Sequence, residues 1–279
     1  MKQLILLLAV AFSTIANAQI KMPAPSPTQT IVQDFGLSKL ELSYSRPSLK
    51  GRAVFKENSE LAPIGKVWRT GANGATKLKV NDLITIGGRS LDTGYYAIFT
   101  IPGKKEWTVI INKDSKNWGT QYAEQDDVFR FTVAADKMSE SVENFTMEFS
   151  DIKAETCELH LMWGTTAVRI PITTNVRDRV RAQVEKALAA DNVTPQVYYQ
   201  AATFYYDLDK DLNKALVNAS KAAEGNAKNY NAFFLKAKIE KDLGDKASAK
   251  ADAEKTVVLA VDAKNDDAVR AAKEFISKL

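Results

Sequence analysis

The pattern of the chain predicts an all-β antiparallel sandwich or jelly roll followed by a C-terminal α-helical region of tetratricopeptide-like character, and three observations carry that prediction. Apolar residues alternate with period two from about residue 31 to residue 172: Leu40, Leu42 and Tyr44 share one face, as do Phe129, Phe131 and Val133, then Phe145, Met147 and Phe149. Eight or more short strands follow one another without helical interludes, so they pair as antiparallel neighbours rather than through parallel crossovers. Past Thr174 the composition turns abruptly to Ala, Lys, Asp and Asn, with apolar residues at helical spacing. The expected organisation is a signal peptide over residues 1–18, a Pro-rich leader over 19–29, the β part over 30–174 and the helical part over 175–279.

The chain opens Met1-Lys2, runs through an apolar stretch over residues 4–12 and reaches Ala16-Asn17-Ala18 before Gln19. This is the charged, apolar, small-x-small order of a secretory signal peptide cleaved after Ala18, and it predicts an exported protein, periplasmic or secreted. The apolar run is shorter than the roughly 20 residues of a membrane span. Cys157 is the single cysteine, which leaves neither an internal disulfide nor a lipid-bearing cysteine at the cleavage point, so stability must come from buried apolar area. Pro23, Pro25 and Pro27 then block helix and ladder alike, which makes an extended lead into the first strand. A formal net charge of +4 spread over 279 residues is solubility chemistry, and nucleic acid is not an expected partner.

Within the β part, turns fall at Gly87-Gly88, Asp92-Thr93-Gly94, Pro102-Gly103-Lys104 and Asn112-Lys113-Asp114. Residues 93–101 and 107–112 on either side of Pro102-Gly103 predict a central hairpin. Cys157, Leu159, Leu161 and Trp163 form another inward face, as do Val168, Ile170 and Ile172. The helical part begins with Val176, Val180, Val184 and Leu188 in steps of four, which predicts packing on the sandwich or on the next helices. Arg177, Arg179, Arg181 and Lys186 then form a wet face. Tyr199, Ala215 and Ala219 recur as Phe233, Ala249 and Ala253 at an offset of 34 residues, the tetratricopeptide period. Gly244 reads as the helix cap inside the second copy, while Asp209-Lys210-Asp211 fills that place in the first without a glycine. Such repeats present a groove to a protein partner, although a plain helical bundle suits the Ala-rich composition as well.

Three segments gather cations and glycines around one Trp between strands: Tyr44-Ser45-Arg46-Pro47, Lys50-Gly51-Arg52 and Gly65-Lys66-Val67-Trp68-Arg69-Thr70-Gly71-Ala72-Asn73. The ligand-binding residues they predict are Arg46, Lys50, Arg52, Lys66, Trp68, Arg69 and Asn73. Arg forks suit the carboxylate or phosphate of an anionic small ligand, and Trp68 and Trp118 offer stacking faces to an envelope glycan. In the competing reading Arg46 and Arg69 pair with Asp126, Asp127 or Glu148 and pin long loops.

Catalytic signatures are sparse. The sequence has no Gly-x-Ser-x-Gly elbow and no phosphate-cradling glycine pattern that leads into a helix, so no nucleophile and no cofactor are expected. His160 is the only histidine and alternation turns it away from the core, whereas Cys157 faces inward, which predicts no metal site and no Cys-His pair. Asp82, Asp92, Glu106, Asp114, Glu124, Asp126, Asp127 and Glu148 supply carboxylates for glycoside hydrolysis, but no spacing singles out a pair. The expected function is therefore a non-catalytic ligand- or protein-binding module, the alternatives being a glycan-directed hydrolase and a purely structural envelope protein.

Together with Gly94-Tyr95-Tyr96-Ala97-Ile98-Phe99-Thr100-Ile101-Pro102, Trp107-Thr108-Val109-Ile110 and Asn117-Trp118-Gly119, the three segments resemble the DUF2911 family over about residues 22–174. That family is typical of exported Bacteroidetes proteins. The resemblance implies an all-β domain, often followed by helical repeats, and brings no established activity. Family members usually carry Glu after the residues matching Asn73 and Trp163, where this chain has Gly74 and Gly164.

Overall fold

The computed structural model describes residues 22–116 and 118–279. The expected signal peptide and its cleavage point lie outside the described residues, as does Asn117 of the Asn-Trp-Gly motif. Among the described residues nine antiparallel strands come first: β1 (Thr28–Phe35), β2 (Ser38–Ser45), β3 (Thr76–Val80), β4 (Ile84–Ile86), β5 (Arg89–Leu91), β6 (Gly94–Ile101), β7 (Glu106–Asn112), β8 (Asp127–Ser150) and β9 (Thr156–Thr173). They form one sheet in the order β1-β2-β3-β6-β7-β8-β9-β4-β5. The expected hairpin is β6–β7, with Ile101 opposite Thr108 across the Pro-Gly turn.

The strands are not uniformly short. β8 has 24 residues and β9 has 18, because β8 pairs with β7 over its first part and with β9 over the rest, and the ladder lapses over residues 138–141, where hydrophobic alternation stops. Register shifts between Lys137 and Val142, and between Val142 and Thr146, bend the strand there. β8 therefore starts beside β7 and ends beside β9, which folds the single sheet over a shared core.

The Tyr44-Ser45-Arg46-Pro47 motif closes that fold. Past β2 the chain runs along the second half of β8, with Phe145 N donating to Pro47 O at 2.8 Å and Leu49 N to Glu143 O at 3.0 Å. The Tyr44 hydroxyl accepts from Met147 N at 2.8 Å and lies 3.0 Å from Met147 O. Arg46 donates from Nε to Phe145 O and from Nη2 to Thr146 Oγ1.

The alternating residues are the core: Leu40, Leu42, Leu159, Leu161 and Ile170 are all but inaccessible. At one end Phe55, from the loop after β2, inserts among Trp68, Trp107 and Trp163 at centroid distances of 4.5 to 6.0 Å. Each such aromatic contact adds about 0.5–1.5 kcal/mol beyond area burial.

Six α-helices follow: α1 (Arg177–Leu188), α2 (Pro195–Thr203), α3 (Leu212–Gly225), α4 (Tyr230–Asp242), α5 (Lys246–Asp262) and α6 (Asp266–Ser277), with a π-helical turn (Phe204–Asp209) after α2. Among the described residues no helix is long and apolar enough to cross a membrane. Ala215 and Ala219 on α3, and Ala249 and Ala253 on α5, are fully buried. Gly244 has φ +90, and Lys210, 34 residues earlier, adopts φ +63 without being glycine. Asp211 and Asp245 hold the same offset and cap α3 and α5 by accepting from Lys214 N and Ser248 N.

The arginines of α1 form more than a wet face. Val180, Val184 and Leu188 pack on the helical core, while the opposite side pairs with carboxylates of both parts. Arg179 grips Asp82 of the β part through two bonds, at 2.9 and 2.6 Å, and Arg177 reaches Glu155 at 3.2 Å. Arg181 pairs with Asp209 at the end of the π turn. Sequence periodicity hid these pairs because each joins residues far apart in the chain.

Candidate functional site

The loop between Gly65 and Ala75 gathers several residues of left-handed backbone. Thr70, Gly71 and Asn73 all have positive φ, at 54°, 149° and 59°. Asn tolerates the left-handed region, but a β-branched Thr there is strained by about 1–3 kcal/mol. Thr70 is held by its surroundings: its carbonyl accepts from Thr76 Oγ1 and its hydroxyl meets Thr100 Oγ1 at 3.1 Å. At Gly71 a Cβ would lie 2.9 Å from Ser45 O, so only glycine allows the loop to press on the end of β2. The Gly71 carbonyl accepts from Trp68 Nε1 at 3.1 Å, and Asn73 Nδ2 donates to Ser26 O and Ser45 Oγ, both at 3.2 Å.

This loop forms one wall of an open cleft of about 630 Å³. Trp68 and Trp163, stacked at 5.7 Å, contribute its floor, and Pro47, Pro63 and Val67 its apolar margin. Arg69, Asn73, Glu60, Thr120 and Tyr122 supply the polar groups. Arg69 donates from Nη1 to Asn73 O at 2.8 Å and pairs with no carboxylate among the described residues. Gly119, at φ +85, lies against its stem: a Cβ there would sit 2.9 Å from Arg69 Cδ and 3.0 Å from Ala75 N. Behind the wall, the Tyr122 hydroxyl donates to Asp127 Oδ2 at 2.7 Å. Burial first, and then the Asp127 carboxylate, push this phenol up to about 12, so it keeps its proton at neutral pH.

Of the seven residues predicted from sequence, the cleft gathers three: Trp68, Arg69 and Asn73. Trp68 is 5% exposed and belongs to the core rather than to the surface, whereas Trp118 is 65% exposed. Trp118 lines a smaller hollow of about 270 Å³ with Lys77 and Lys116. Arg46 is committed to the sheet closure. Lys50, at φ +49, donates its backbone N–H to Glu143 Oε1 at 2.8 Å, and Arg52 binds the carbonyls of Leu49 and Ser48 in its own loop. Lys66 is exposed on the turn after Pro63, outside the cleft lining.

The expected acidic partners of Arg46 and Arg69 also differ. Asp126 pairs with Lys113 and Asp127 with Arg130, while the two arginines bind carbonyl and hydroxyl oxygens. Periodicity overlooked Glu60, Thr120 and Tyr122. The signal for that wall was Gly119 in the Asn-Trp-Gly motif. Gly74 and Gly164 follow Asn73 and Trp163, which both line the cleft, so the two departures from the family pattern fall beside one site. Gly164 has φ +57 and a Cβ there would meet Val54 Cγ1 at 3.2 Å, so a side chain would be strained.

The fold defines the class: an antiparallel β-sandwich with a helical region appended. Residues 26–172, more than half of the chain, match the family described as Protein of unknown function (DUF2911), and the chain belongs to it. Comparison with curated proteins finds no match.

Proposed function

We propose that this is an exported, non-catalytic binding protein whose β part holds a small ligand bearing a carboxylate or phosphate against Arg69. Its helices, as tetratricopeptide-like pairs, then engage another protein. The observation that carries the reading is Arg69 itself: a guanidinium on the wall of an aromatic-floored cleft, steadied by Asn73 and Gly119 and without a carboxylate partner among the described residues. A planar fork so placed suits a two-oxygen anion. Strained backbone at Thr70 is the kind of cost that persists where geometry serves a site. Support for the helical half comes from the 34-residue recurrence of Lys210 with Gly244 and of the Asp211 and Asp245 caps. Export rests on the order of residues 1–18, and N-terminal sequencing of the secreted chain should begin at Gln19. A glycan hydrolase needs two carboxylates across its substrate, and Glu60 is the one carboxylate lining the cleft among the described residues.

The test is a thermal-shift screen of the chain and its Arg69→Met variant against organic acids, phosphates, glycans and peptides, followed by tryptophan fluorescence. Met keeps the stem that packs on Gly119 and removes the fork. A ligand at a hundred times its Kd stabilises by about 2.7 kcal/mol, which raises the melting temperature by about 5–10 °C in a unit of this size. The expected outcome is a shift with anionic compounds that vanishes in a folded Arg69→Met variant. A shift of equal size in both proteins overturns the assignment to Arg69, and no shift with any anion overturns the ligand class.

A further inference from the structure

The β8–β9 turn carries a second constellation, none of whose residues lines the cleft. His160 and Glu158 stand two apart on the outward face of β9, with His160 Nε2 and Glu158 Oε2 at 2.7 Å. Asp151, the first residue of the turn, brings a carboxylate oxygen close enough that the three ligand-type atoms all lie within 4.8 Å of one another. Glu148 is the direct cross-strand partner of His160 in the β8–β9 register, which sets its side chain on the same face at about 5 Å between Cβ atoms. Two carboxylates therefore meet one imidazole, and a third stands on the same face across the ladder. Among the described residues no Lys or Arg forms an ion pair with Glu148, Asp151 or Glu158, in a part where most other clustered acids have a basic partner. The side chain of His160 is only 16% exposed, so its ring is already fixed by its neighbours.

We propose that Asp151, Glu158 and His160 bind a divalent transition-metal ion of the Zn²⁺ class, with Glu148 as a further carboxylate within reach. An imidazole nitrogen with carboxylate oxygens suits Zn²⁺ and its neighbours, whereas Ca²⁺ and Mg²⁺ take oxygen alone. Zn²⁺ holds such ligands at about 2.0–2.2 Å, which puts tetrahedral ligand atoms roughly 3.3 Å apart. The His160–Glu158 separation of 2.7 Å and the 4.8 Å limit on the distances to Asp151 span that value, and the exposed Asp151 side chain is free to adjust by rotation. Reading along the strand predicted no metal site because there is one histidine, whereas here Glu158 lies two residues along the same strand, Asp151 comes from the turn and Glu148 from the facing strand.

The location suggests a consequence. The same turn presents Glu155, whose Oε1 accepts from Val176 N at 3.0 Å and Arg177 N at 2.9 Å at the start of α1. An ion held by Asp151 would stiffen the turn that anchors the helical region.

His160 is the only histidine of the sequence, so its imidazole is a single NMR reporter in the full chain. Zn²⁺ alone is titrated into the wild type and into Asp151→Asn, Glu158→Gln and His160→Gln, with tryptophan fluorescence and circular dichroism checking that each is folded. We expect one Zn²⁺ per chain at micromolar concentration, with the His160 ring signals shifted on binding. By these signals Asp151→Asn and Glu158→Gln should each weaken binding at least about tenfold, and His160→Gln, which removes the reporter, should retain no stoichiometric Zn²⁺ in equilibrium dialysis. A ring shift seen only at millimolar Zn²⁺, or one unaffected by Asp151→Asn and Glu158→Gln, would mean adsorption on a lone imidazole and would overturn the site. Ca²⁺ in tenfold excess should leave the ring signals unmoved, and displacement of Zn²⁺ by Ca²⁺ would overturn the metal class.

Discussion

Tyr44→Phe removes a single oxygen from the point where the sheet closes, and its cost can be worked out from the contacts. The ring is fully buried and packs edge-on against Phe145 at 5.7 Å, and Phe retains that packing. What is lost is the acceptor for Met147 N and one donor, which serves Met147 O or Gln29 Oε1. Met147 is 1% exposed, so water cannot replace the hydroxyl. A buried N–H left unsatisfied costs about 1–3 kcal/mol and the second lost bond about 1 kcal/mol, so we expect a loss of about 2–4 kcal/mol. Trp68, Trp107, Trp118 and Trp163 all precede Thr174, so tryptophan fluorescence during urea unfolding follows the β part alone. With a slope of about 2 kcal/mol per molar urea, the midpoint should fall by about 1–2 M without a change in slope. A fall below about 0.3 M would refute the argument that the hydroxyl is what joins β2 to β8.

Gly119→Ala should cost about 1–3 kcal/mol in the same assay, and Gly51→Ala about 1 kcal/mol less. Both glycines have positive φ, but a Cβ meets Arg69 and Ala75 only at position 119, so equal losses would show that Arg69 does not seat on that glycine. In the helical part Glu240 is 5% exposed and its Oε2 has no hydrogen-bond partner among the described residues, while Oε1 faces Lys236 Nζ at 3.2 Å. Burial first, and then the charge of Asp252, push its carboxyl up to about 7. A folded-state value above the ordinary one of about 4.3 means that the group's contribution is present below about pH 4 and is lost as pH rises through 7. Glu240→Gln should therefore gain stability over wild type between pH 5 and 8, read from melting at 222 nm, and parallel pH profiles would contradict this. Burial, and then Glu158, push the Cys157 thiol up to about 11, and the side chain is 2% exposed. Labelling by a thiol reagent at pH 8 should then proceed only at the rate of unfolding, and immediate labelling of the native chain would refute it.

Period-two alternation was enough to place Leu40, Leu42, Cys157, Leu159 and Ile170 inside, because a strand with one face on a core cannot slip by a single residue without exposing the whole set. The Pro-Gly hairpin and the recurrence of Ala215 and Ala219 at Ala249 and Ala253 were likewise legible, since each rests on local geometry or close helix contact. A cation in a loop carries no such local signature. Arg46 and Arg69 were equally plausible ligands on composition, yet Arg46 binds β8 about a hundred residues away while Arg69 faces the cleft. That difference depends on the bend of β8, where the alternation breaks and the pairing with β9 shifts register. The joining of Asp151 to Glu158 and His160, and of Arg179 to Asp82, depends on long-range pairing in the same way. Local chemistry in the chain determined which residues would be strands, helices and turns. Only the tertiary structure decided which polar side chains meet, because hydrogen bonds and ion pairs are short-ranged in space and indifferent to separation along the chain.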